Sequence, residues 1–526
     1  MNGLEGTGRM LRFLLRRDRV RLAVWVLSLV GITAASARAV SSTYDTPVAI
    51  AAYARNMGSS PVTVAMAGPP VALETIQGIV VYETSLTVLI GTALMAMFTV
   101  VRHTRGEEEV GRTELLASTS LGRHAGTAAA VLLAAGASVL VGLGVTASVA
   151  AVDFSPAQSV LYGASVVGLG LVFAAVAATA AQLVGHARTA VGLTLAILGA
   201  TFALRAVGDV RGDFLAWLSP IGWSQQIRLI EADRWWPLAL SVTLAVVLLV
   251  ATGWLSRHRD VGSGVLPARP GPAEAAPGLR SPLGLTWRLQ RGSVWAWGIG
   301  LLLLGAVFGS VSNELQDMVE NNPTLQQYFE QTGGDITDAL FVTALLFAGL
   351  GAGGFAVSSV LRLHAEESAG RMEPLLATPV SRYRALLTPL LVTIAGAAVL
   401  VTAGGLGVAV ADALVRDDFG SVARLTALSW VQLPAVLVLV GVAVLLVGWL
   451  PRATALAWAL MGLAFVVGWL GGLLSLPGWI SGLSPYEHLP LVPVEDLAWG
   501  PLLLLTLLGA ALTAAGAVGF RRRDIG

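Results

Sequence analysis

The sequence predicts an all-α polytopic membrane protein, and its composition and hydropathy pattern carry that prediction. Hydrophobic residues make up 55% of the 526 positions and charged residues only 12%, about half the share found in ordinary soluble domains. Mean hydropathy is +0.74. Apolar stretches of roughly 18 residues or more recur along the chain, and each is long enough to cross a bilayer as a helix.

Twelve such stretches are the predicted membrane spans. A segment rich in Pro, Gly and Ala divides them six and six and is typical of a flexible linker. We therefore predict a first six-span half (1–255), a cytoplasmic linker (256–287) and a second six-span half (288–526). The spans are predicted at residues 22–40, 80–101, 125–151, 158–183, 189–207, 237–255, 294–311, 339–361, 385–411, 427–449, 453–475 and 500–519.

The arginine distribution predicts the orientation of these spans. With the N-terminus inside, 25 of the 33 basic residues fall in inner segments, as expected for cytoplasmic loops. Both termini and the linker are therefore predicted to be cytoplasmic. The first span and "ASARA" ending at Ala39 imitate a secretory signal. However, the pattern at 14–31 recurs at 288–305, inside the chain, which favours an uncleaved first span.

The residue inventory excludes several kinds of chemistry. Every basic residue is an arginine, so the chain offers no Schiff-base lysine and no Walker A lysine. Cysteine is absent, which excludes disulfides and thiolate metal sites. The six histidines are scattered and form no pair with metal-ligand spacing on one helix, so no metal site is predicted. A net charge of +1 gives no reason to expect a nucleic-acid partner.

Two charged loops repeat one another. "EEEVGRTELLASTSLGR" (107–123) follows the second span of the first half, and "EESAGRMEPLLATPVSR" (366–382) follows the second span of the second half. Eight positions agree in one register. Six spans return the chain to the same side, so the halves are predicted to be parallel repeats with a transport pathway between them. The matched positions are Glu107, Glu108, Gly111, Arg112, Glu114, Leu116, Thr119 and Arg123 with Glu366, Glu367, Gly370, Arg371, Glu373, Leu375, Thr378 and Arg382.

Helical spacing predicts how these loops are organised. Glu108 and Arg112 lie four apart, as do Glu367 and Arg371, which is the favourable order for an ion pair on a helix. We interpret each loop as a short amphipathic helix that presents charge to a partner. The alternative is an inert, solvated loop. Pro374 and Pro379 interrupt only the second copy and suggest unequal roles.

This loop pattern resembles the coupling-helix region of ABC-2 type permeases, most closely the fused twelve-span permeases among actinobacterial antibiotic exporters. The resemblance covers nearly the whole chain. It implies a bacterial plasma-membrane protein whose two loops, 102–124 and 362–384, contact a separate ATP-hydrolysing subunit. The candidate coupling residues are Glu107, Glu108, Gly111, Arg112, Glu114, Arg123, Glu366, Glu367, Gly370, Arg371, Glu373 and Arg382.

The same resemblance implies two further features. One is an N-terminal helix along the inner membrane surface, with plain positive-inside anchoring as the alternative. The other is a re-entrant segment on the outer side before the last span of each half, with ordinary outer loops as the alternative. The helix would use Leu11, Arg12, Leu14, Leu15, Arg16 and Arg17, and the outer segments Trp217, Pro220, Trp223, Trp479 and Pro485.

Together these observations predict a transport subunit and not an enzyme. It would export a hydrophobic or amphipathic compound, driven by two copies of a cytoplasmic ABC ATPase that bind ATP and Mg²⁺; no cofactor is expected in this chain. Charged residues within spans are few, and Glu83, Arg205 and Asp338 are interpreted as interfacial or snorkelling residues. The alternatives are an ion-driven secondary transporter of major-facilitator-like architecture and a membrane enzyme or scaffold.

Overall fold

A computed structural model describes residues 3–44, 46–58, 61–113, 121–260, 262–266, 271, 273–313, 316, 336–474 and 477–523. The chain is 82% helical and, within these ranges, contains no strand. Twelve helices of this part of the chain are long and apolar enough to cross a bilayer. The prediction of an all-α, twelve-span membrane protein is confirmed.

Each predicted span corresponds to one helix, and most helices extend beyond the predicted bounds because polar first and last turns continue them. A run of short turns from Phe419 precedes the tenth helix and belongs to the same candidate span. The helices are α1 (Thr7–Thr43), α2 (Ile76–His103), α3 (Ala125–Ala150), α4 (Pro156–Leu183), α5 (Ala187–Arg211), α6 (Pro237–Arg257), α7 (Pro282–Ser310), α8 (Ile336–Ser368), α9 (Arg382–Arg416), α10 (Leu433–Trp449), α11 (Ala455–Leu474) and α12 (Trp499–Arg522).

The chain divides into two compact units. Unit 1 comprises Met1–Pro270 with α1 to α6, and unit 2 comprises Gly271–Gly526 with α7 to α12. The division lies within the segment predicted as a linker, where Pro277–Arg280 form one turn of 3-10 helix. Each unit thus contains six of the candidate spans.

Helix α4 packs against α2, α3 and α6 of unit 1. Its small residues allow close approach. A Cβ on Gly163 of α4 would lie 2.4 Å from the carbonyl oxygen of Gly142 on α3, so the two backbones are in direct contact. Small residues allow such approach between membrane helices. Ser155 begins α4 with a capping box to Gln158, and Pro156 occupies the first turn, where its missing N–H costs nothing.

Unit 2 repeats two of the helix pairings of unit 1. Its closest pairs are α7 with α9 and α10 with α12, which match in order α1 with α3 and α4 with α6 of unit 1. Glycines bring the unit 2 pairs together: a Cβ on Gly305 would lie 2.2 Å from the Gly404 oxygen, and one on Gly448 would lie 2.1 Å from the Gly516 oxygen. The internal duplication therefore extends from the loops to the packing of the helices.

The predicted separate N-terminal surface helix is not present as such. Residues 7–43 form one uninterrupted helix, since no proline or turn breaks it before the first span. At a rise of about 1.5 Å per residue it exceeds the hydrocarbon thickness of roughly 30 Å, so its arginine-rich start lies beyond the apolar zone. Leu14 is fully buried against protein, whereas Leu15 is 47% exposed. The residues assigned to the separate surface helix belong instead to the first turns of this single helix: Leu11, Arg12, Leu14, Leu15, Arg16 and Arg17.

Candidate functional site

The first acidic loop is a short continuation of α2 that ends in a glycine turn. Arg105–Glu109 form a further helical turn after a break at Thr104. Gly111 has φ of +72°, and its N–H donates to the Glu108 carbonyl at 3.0 Å. This left-handed conformation suits glycine, which has no Cβ to clash, and it stops the helix.

The second acidic loop contains the same turn. Gly370 has φ of +68°, and its N–H donates to the carbonyl of Glu367 at 2.8 Å. Helix α8 continues up to this turn, and the short helix Met372–Leu376 follows it. The repeated glutamate-glycine-arginine pattern therefore specifies one local structure in both units.

The glycine turn changes the predicted ion pairing. Arg112 contacts Glu107 at 3.3 Å, and Arg371 contacts Glu366 at 2.5 Å, each across five positions. The sequence predicts the partners Glu108 and Glu367. That prediction is wrong because four-residue spacing requires a continuous helix, whereas the left-handed glycine turns the arginine back to the first glutamate of its run.

The second glutamate of each run binds an arginine just beyond the last helix of its unit. Glu108 lies 2.6 Å from Arg259, which follows α6, and 2.6 Å from the fully buried Arg105. Glu367 pairs with Arg523, which follows α12. These carboxylates are therefore held within the protein.

A third residue completes the arrangement in each unit. Arg123 donates to the backbone carbonyl of Arg259 at 2.9 Å, and Arg382 donates to that of Arg523 at 2.8 Å. We call these clusters the arginine latches: Glu108, Arg123 and Arg259 in unit 1, and Glu367, Arg382 and Arg523 in unit 2.

Sequence analysis missed Arg259 and Arg523, although a signal is present. "RHRDVG" (257–262) follows the last span of the first half, and "RRRDIG" (521–526) follows the last span of the second. The two hexapeptides share arginine, arginine, aspartate and glycine at the same places. A comparison of the segments after the last spans, and not only of the loops, would have found them.

In unit 1, residues of α1 make additional contacts with the acidic loop and with the end of α2. Arg17 pairs with Glu107 at 2.8 Å, and the buried Asp18 contacts His103 at 2.7 Å and Arg102 at 3.4 Å. The start of α1 therefore packs against the end of α2 through charge.

The chain before α1 also packs against this loop. The N–H groups of Gly122 and His124 donate to the carbonyls of Glu5 and Gly3, both at 2.9 Å. The ring of His124 contacts the Ser256 hydroxyl of α6 at 3.0 Å. Burial is the main cause that lowers the pKa of His124 below its ordinary value, and the neighbouring charges of Arg257 and Arg123 lower it further. His124 is therefore held neutral near pH 7.

Exposure separates the candidate coupling residues into two groups. Arg112 and Arg371 have side chains 52% and 60% exposed, whereas those of Glu108 and Glu367 are only 11% and 13% exposed. The arginines are accessible to a partner, and the second glutamates are braces inside the loop. Glu373 is exposed on the short helix after the second turn, whereas Glu114 lies outside the described residues.

The outer segment of unit 1 is folded compactly between α5 and α6. A 3-10 turn (Phe214–Leu218) leads to a short helix that begins at the buried Pro220. The Trp223 indole donates to the Trp217 carbonyl at 2.5 Å, and the Trp217 ring stacks on Trp236 at 5.0 Å between centroids. Trp217, Pro220 and Trp223 thus lie in a turn and a short helix that pack together. A re-entrant position in the membrane stays a prediction.

The outer segment of unit 2 binds α8. Pro485 is buried, and the hydroxyl of the adjacent Tyr486 donates to the Gly349 carbonyl at 2.8 Å; Trp479 is exposed. With Gln432 and other residues of unit 2, Tyr486 lines a cavity of about 770 Å³. That volume is within the range of small-molecule sites.

The sequence predicts an interfacial or snorkelling role for Arg205, but the structure buries it completely. It pairs with Asp209 one turn away at 3.4 Å on α5, and its side chain lies over the Phe202 ring. Unit 2 has a similar pair on α9, Asp412 with Arg416 at 2.8 Å. Each arginine pairs with an aspartate one turn away, and such pairing is typical of ionisable residues in membrane spans.

The other two charged residues singled out in spans have different surroundings. The Glu83 carboxylate accepts a hydrogen bond from the Tyr53 hydroxyl, and Glu83 itself is exposed. Asp338 lies in the first turn of α8.

Twelve apolar helices in a duplicated six-helix unit, with charged turns repeated at one end, define a multi-pass membrane protein of the permease class. The family described as "Multidrug efflux system permease Rv1217c, C-terminal domain" matches residues 279–521. The chain is also 40% identical over 528 residues to the multidrug efflux system permease protein Rv1217c of Mycobacterium tuberculosis (strain ATCC 25618 / H37Rv), covering 100% of this chain and 96% of that protein. The chain belongs to this permease family.

Proposed function

We propose that this chain is the permease subunit of an ATP-driven ABC-2 type exporter that moves a hydrophobic or amphipathic, drug-like compound out of the cell. The observation that carries the proposal is the charged turn built twice, once in each six-helix unit, after the second helix. A membrane protein that only anchors its loops would need neither the left-handed glycine nor the paired arginine at both sites.

The energy would come from a separate protein. Without lysine the chain cannot form a Walker A site, so ATP and Mg²⁺ would bind to a partner ATPase. Two turns call for two copies of it. The contact would be made by the exposed side chains of Arg112, Glu366, Arg371 and Glu373. The loops that carry them would face the cytoplasm, where arginine-rich segments are expected.

The cargo class rests on two supports. The relative is named for multidrug efflux. In unit 2 a cavity of about 770 Å³ is lined by apolar and polar groups in similar measure, including Gln432, whose buried side-chain oxygen has no hydrogen-bond partner among the described residues. Small-molecule sites combine apolar side chains with placed polar groups, so this lining suits an amphipathic cargo.

The test is assembly and transport with charge reversal at the exposed arginines. The permease would be purified in lipid with a candidate ATPase, and Arg112→Glu and Arg371→Glu would be compared with Arg452→Glu, an exposed arginine outside both loops. We expect a 1:2 complex, and binding weakened about tenfold by each turn reversal but not by the control.

The contrary result is also defined. If no ATPase co-purifies and both turn variants still export a fluorescent drug in cells, the proposal fails. Export that then collapses with the proton gradient would support the secondary-transporter alternative.

A further inference from the structure

Each arginine latch joins an acidic loop to the end of the last helix of its unit by two separate bonds. In unit 2, the Glu367 carboxylate accepts from the Arg523 side chain, and Arg382 donates to the Arg523 carbonyl at 2.8 Å. Arg382 also donates to the carbonyl of Arg521, still within α12, at 2.9 Å. Both the side chain and the backbone beyond α12 are thus held.

Unit 1 has the same two-point attachment and extends it. Arg259 donates to Glu108 and to the side-chain oxygen of Gln182, the latter at 2.7 Å. The backbone that follows continues the contact: Val265 N–H donates to the carbonyl of Gln182 at 3.0 Å. The end of α4 is therefore joined to the same cluster.

The burial of the charges makes these attachments strong. The side chains of Arg259 and Arg523 are 8% and 18% exposed, so they are screened little and are not available to a partner. Ionic hydrogen bonds between arginine and carboxylate are about twice as strong as neutral ones. Arg259 and Arg523 are each bound at the side chain and at the carbonyl, so neither residue can turn or shift without breaking one of these contacts.

We propose that Arg259 and Arg523 are positioning residues that make the sixth helix of each unit, α6 or α12, move with its acidic loop. This rests on the proposed function, in which the ATPase pushes on the loops. Without the latch, the loop would still bind the ATPase, but its displacement would not reach the helix. Hydrolysis and transport would then be uncoupled.

Unit 2 gives the clearest test, because Glu108 also contacts Arg105, which complicates changes in unit 1. The chain has no native cysteine, so Ala377→Cys and Arg522→Cys, both exposed, give specific spin-label sites on the loop and on α12. The label-to-label distance would be measured in lipid, first on the permease alone. The variants are Arg523→Gln, Arg523→Lys and the exchange Glu367→Arg with Arg523→Glu.

We expect Arg523→Gln to broaden the distance distribution and to lower drug transport about tenfold, while ATPase binding and hydrolysis stay within about twofold of wild type. Arg523→Lys keeps the charge and controls for folding, with an intermediate effect. The exchange restores the narrow distribution and most transport.

The inference is overturned if Arg523→Gln leaves the distance and transport unchanged, or if it abolishes ATPase binding, which would make Arg523 a contact residue. The distance on the permease alone needs no ATPase. A narrow wild-type distribution that Arg523→Gln broadens would therefore support the latch even if no ATPase bound, whereas the absence of ATPase binding by wild type would count against the proposed function.

Discussion

The two acidic loops share a sequence pattern and a backbone turn, yet they differ in how much of their charge is buried. In unit 1, Glu107 is 10% exposed and is paired with Arg17 of α1 as well as Arg112. In unit 2 the matched Glu366 is 38% exposed. One motif thus produces a loop embedded in its unit and a loop open to its surroundings.

The first helices of the two units also differ near these loops. Aligning 14–31 with 288–305 places Gly292 at the position of Asp18, the carboxylate that contacts His103. With no carboxylate there, Arg362, at the His103 position, donates to the backbone carbonyl of Leu289 at 2.9 Å. Changes in the neighbouring helices therefore accompany changes within the loops, such as Pro374 and Pro379 in the second copy.

Charge reversal of Glu108 or Glu367 should give the largest effect on stability, and the size of that effect should differ between the two variants. Glu108→Arg would place a cation beside the buried Arg105 and Arg259, whereas Glu367→Arg faces Arg523. Losing a buried ion partner costs about 3–5 kcal/mol. We expect both variants to unfold at lower temperature, Glu108→Arg more so, as measured by thermal unfolding in detergent. Equal losses of stability and transport would contradict the asymmetry.

Neutralising Asp18 should affect only unit 1. Asp18→Asn removes the charge that faces Arg102 and His103, leaving buried donors poorly satisfied at a cost of about 1–3 kcal/mol. We expect faster proteolysis near the first loop and unchanged cleavage near the second. Gly292→Ala is the matched control, because a Cβ there meets no atom within 4 Å. Equal protection of both loops in Asp18→Asn would show that α1 does not brace the first one.

The glycine turns should respond alike in the two units. Among the described residues, a Cβ at Gly111 or Gly370 meets no atom within 4 Å, so Gly→Ala tests the left-handed backbone. Each change should cost about 1 kcal/mol, and asparagine, which tolerates this conformation, should cost less. Unfolding measurements that give Asn and Ala the same cost would argue against a requirement for the positive φ.

The smallest effect is a pH dependence confined to unit 1. The pKa of His124 is lowered from its ordinary 6.5, so the unfolded chain takes up the proton first. The associated stability is complete above pH 6.5 and declines as the pH falls through the folded pKa. We expect His124→Gln to flatten the fall in melting temperature between pH 7 and pH 5 relative to wild type. An identical pH profile would show that His124 does not cause this fall in melting temperature.

The glycine turn shows which part of the site was predictable. The matched Gly111 and Gly370 identify the position from sequence alone, but helical spacing predicts the wrong ion pairs because the left-handed glycine ends the helix there. Arg259 lies 151 positions from Glu108, and Arg523 lies 156 from Glu367. Helical periodicity has no bearing on partners at such separations. Only the folded bundle brings the end of the sixth helix beside the loop after the second.

Sequence alone predicts the twelve helices, their division into two sets of six and the repeated charged pattern, because apolar length and local spacing are properties of the chain. The tertiary structure alone decided which charges are exposed. Whether Glu107 or Glu366 is exposed depends on the helix packed beside it, and packing between distant segments is set by side-chain shape and by partners for buried charge. The latches are the clearest instance, since each requires three chain segments to meet.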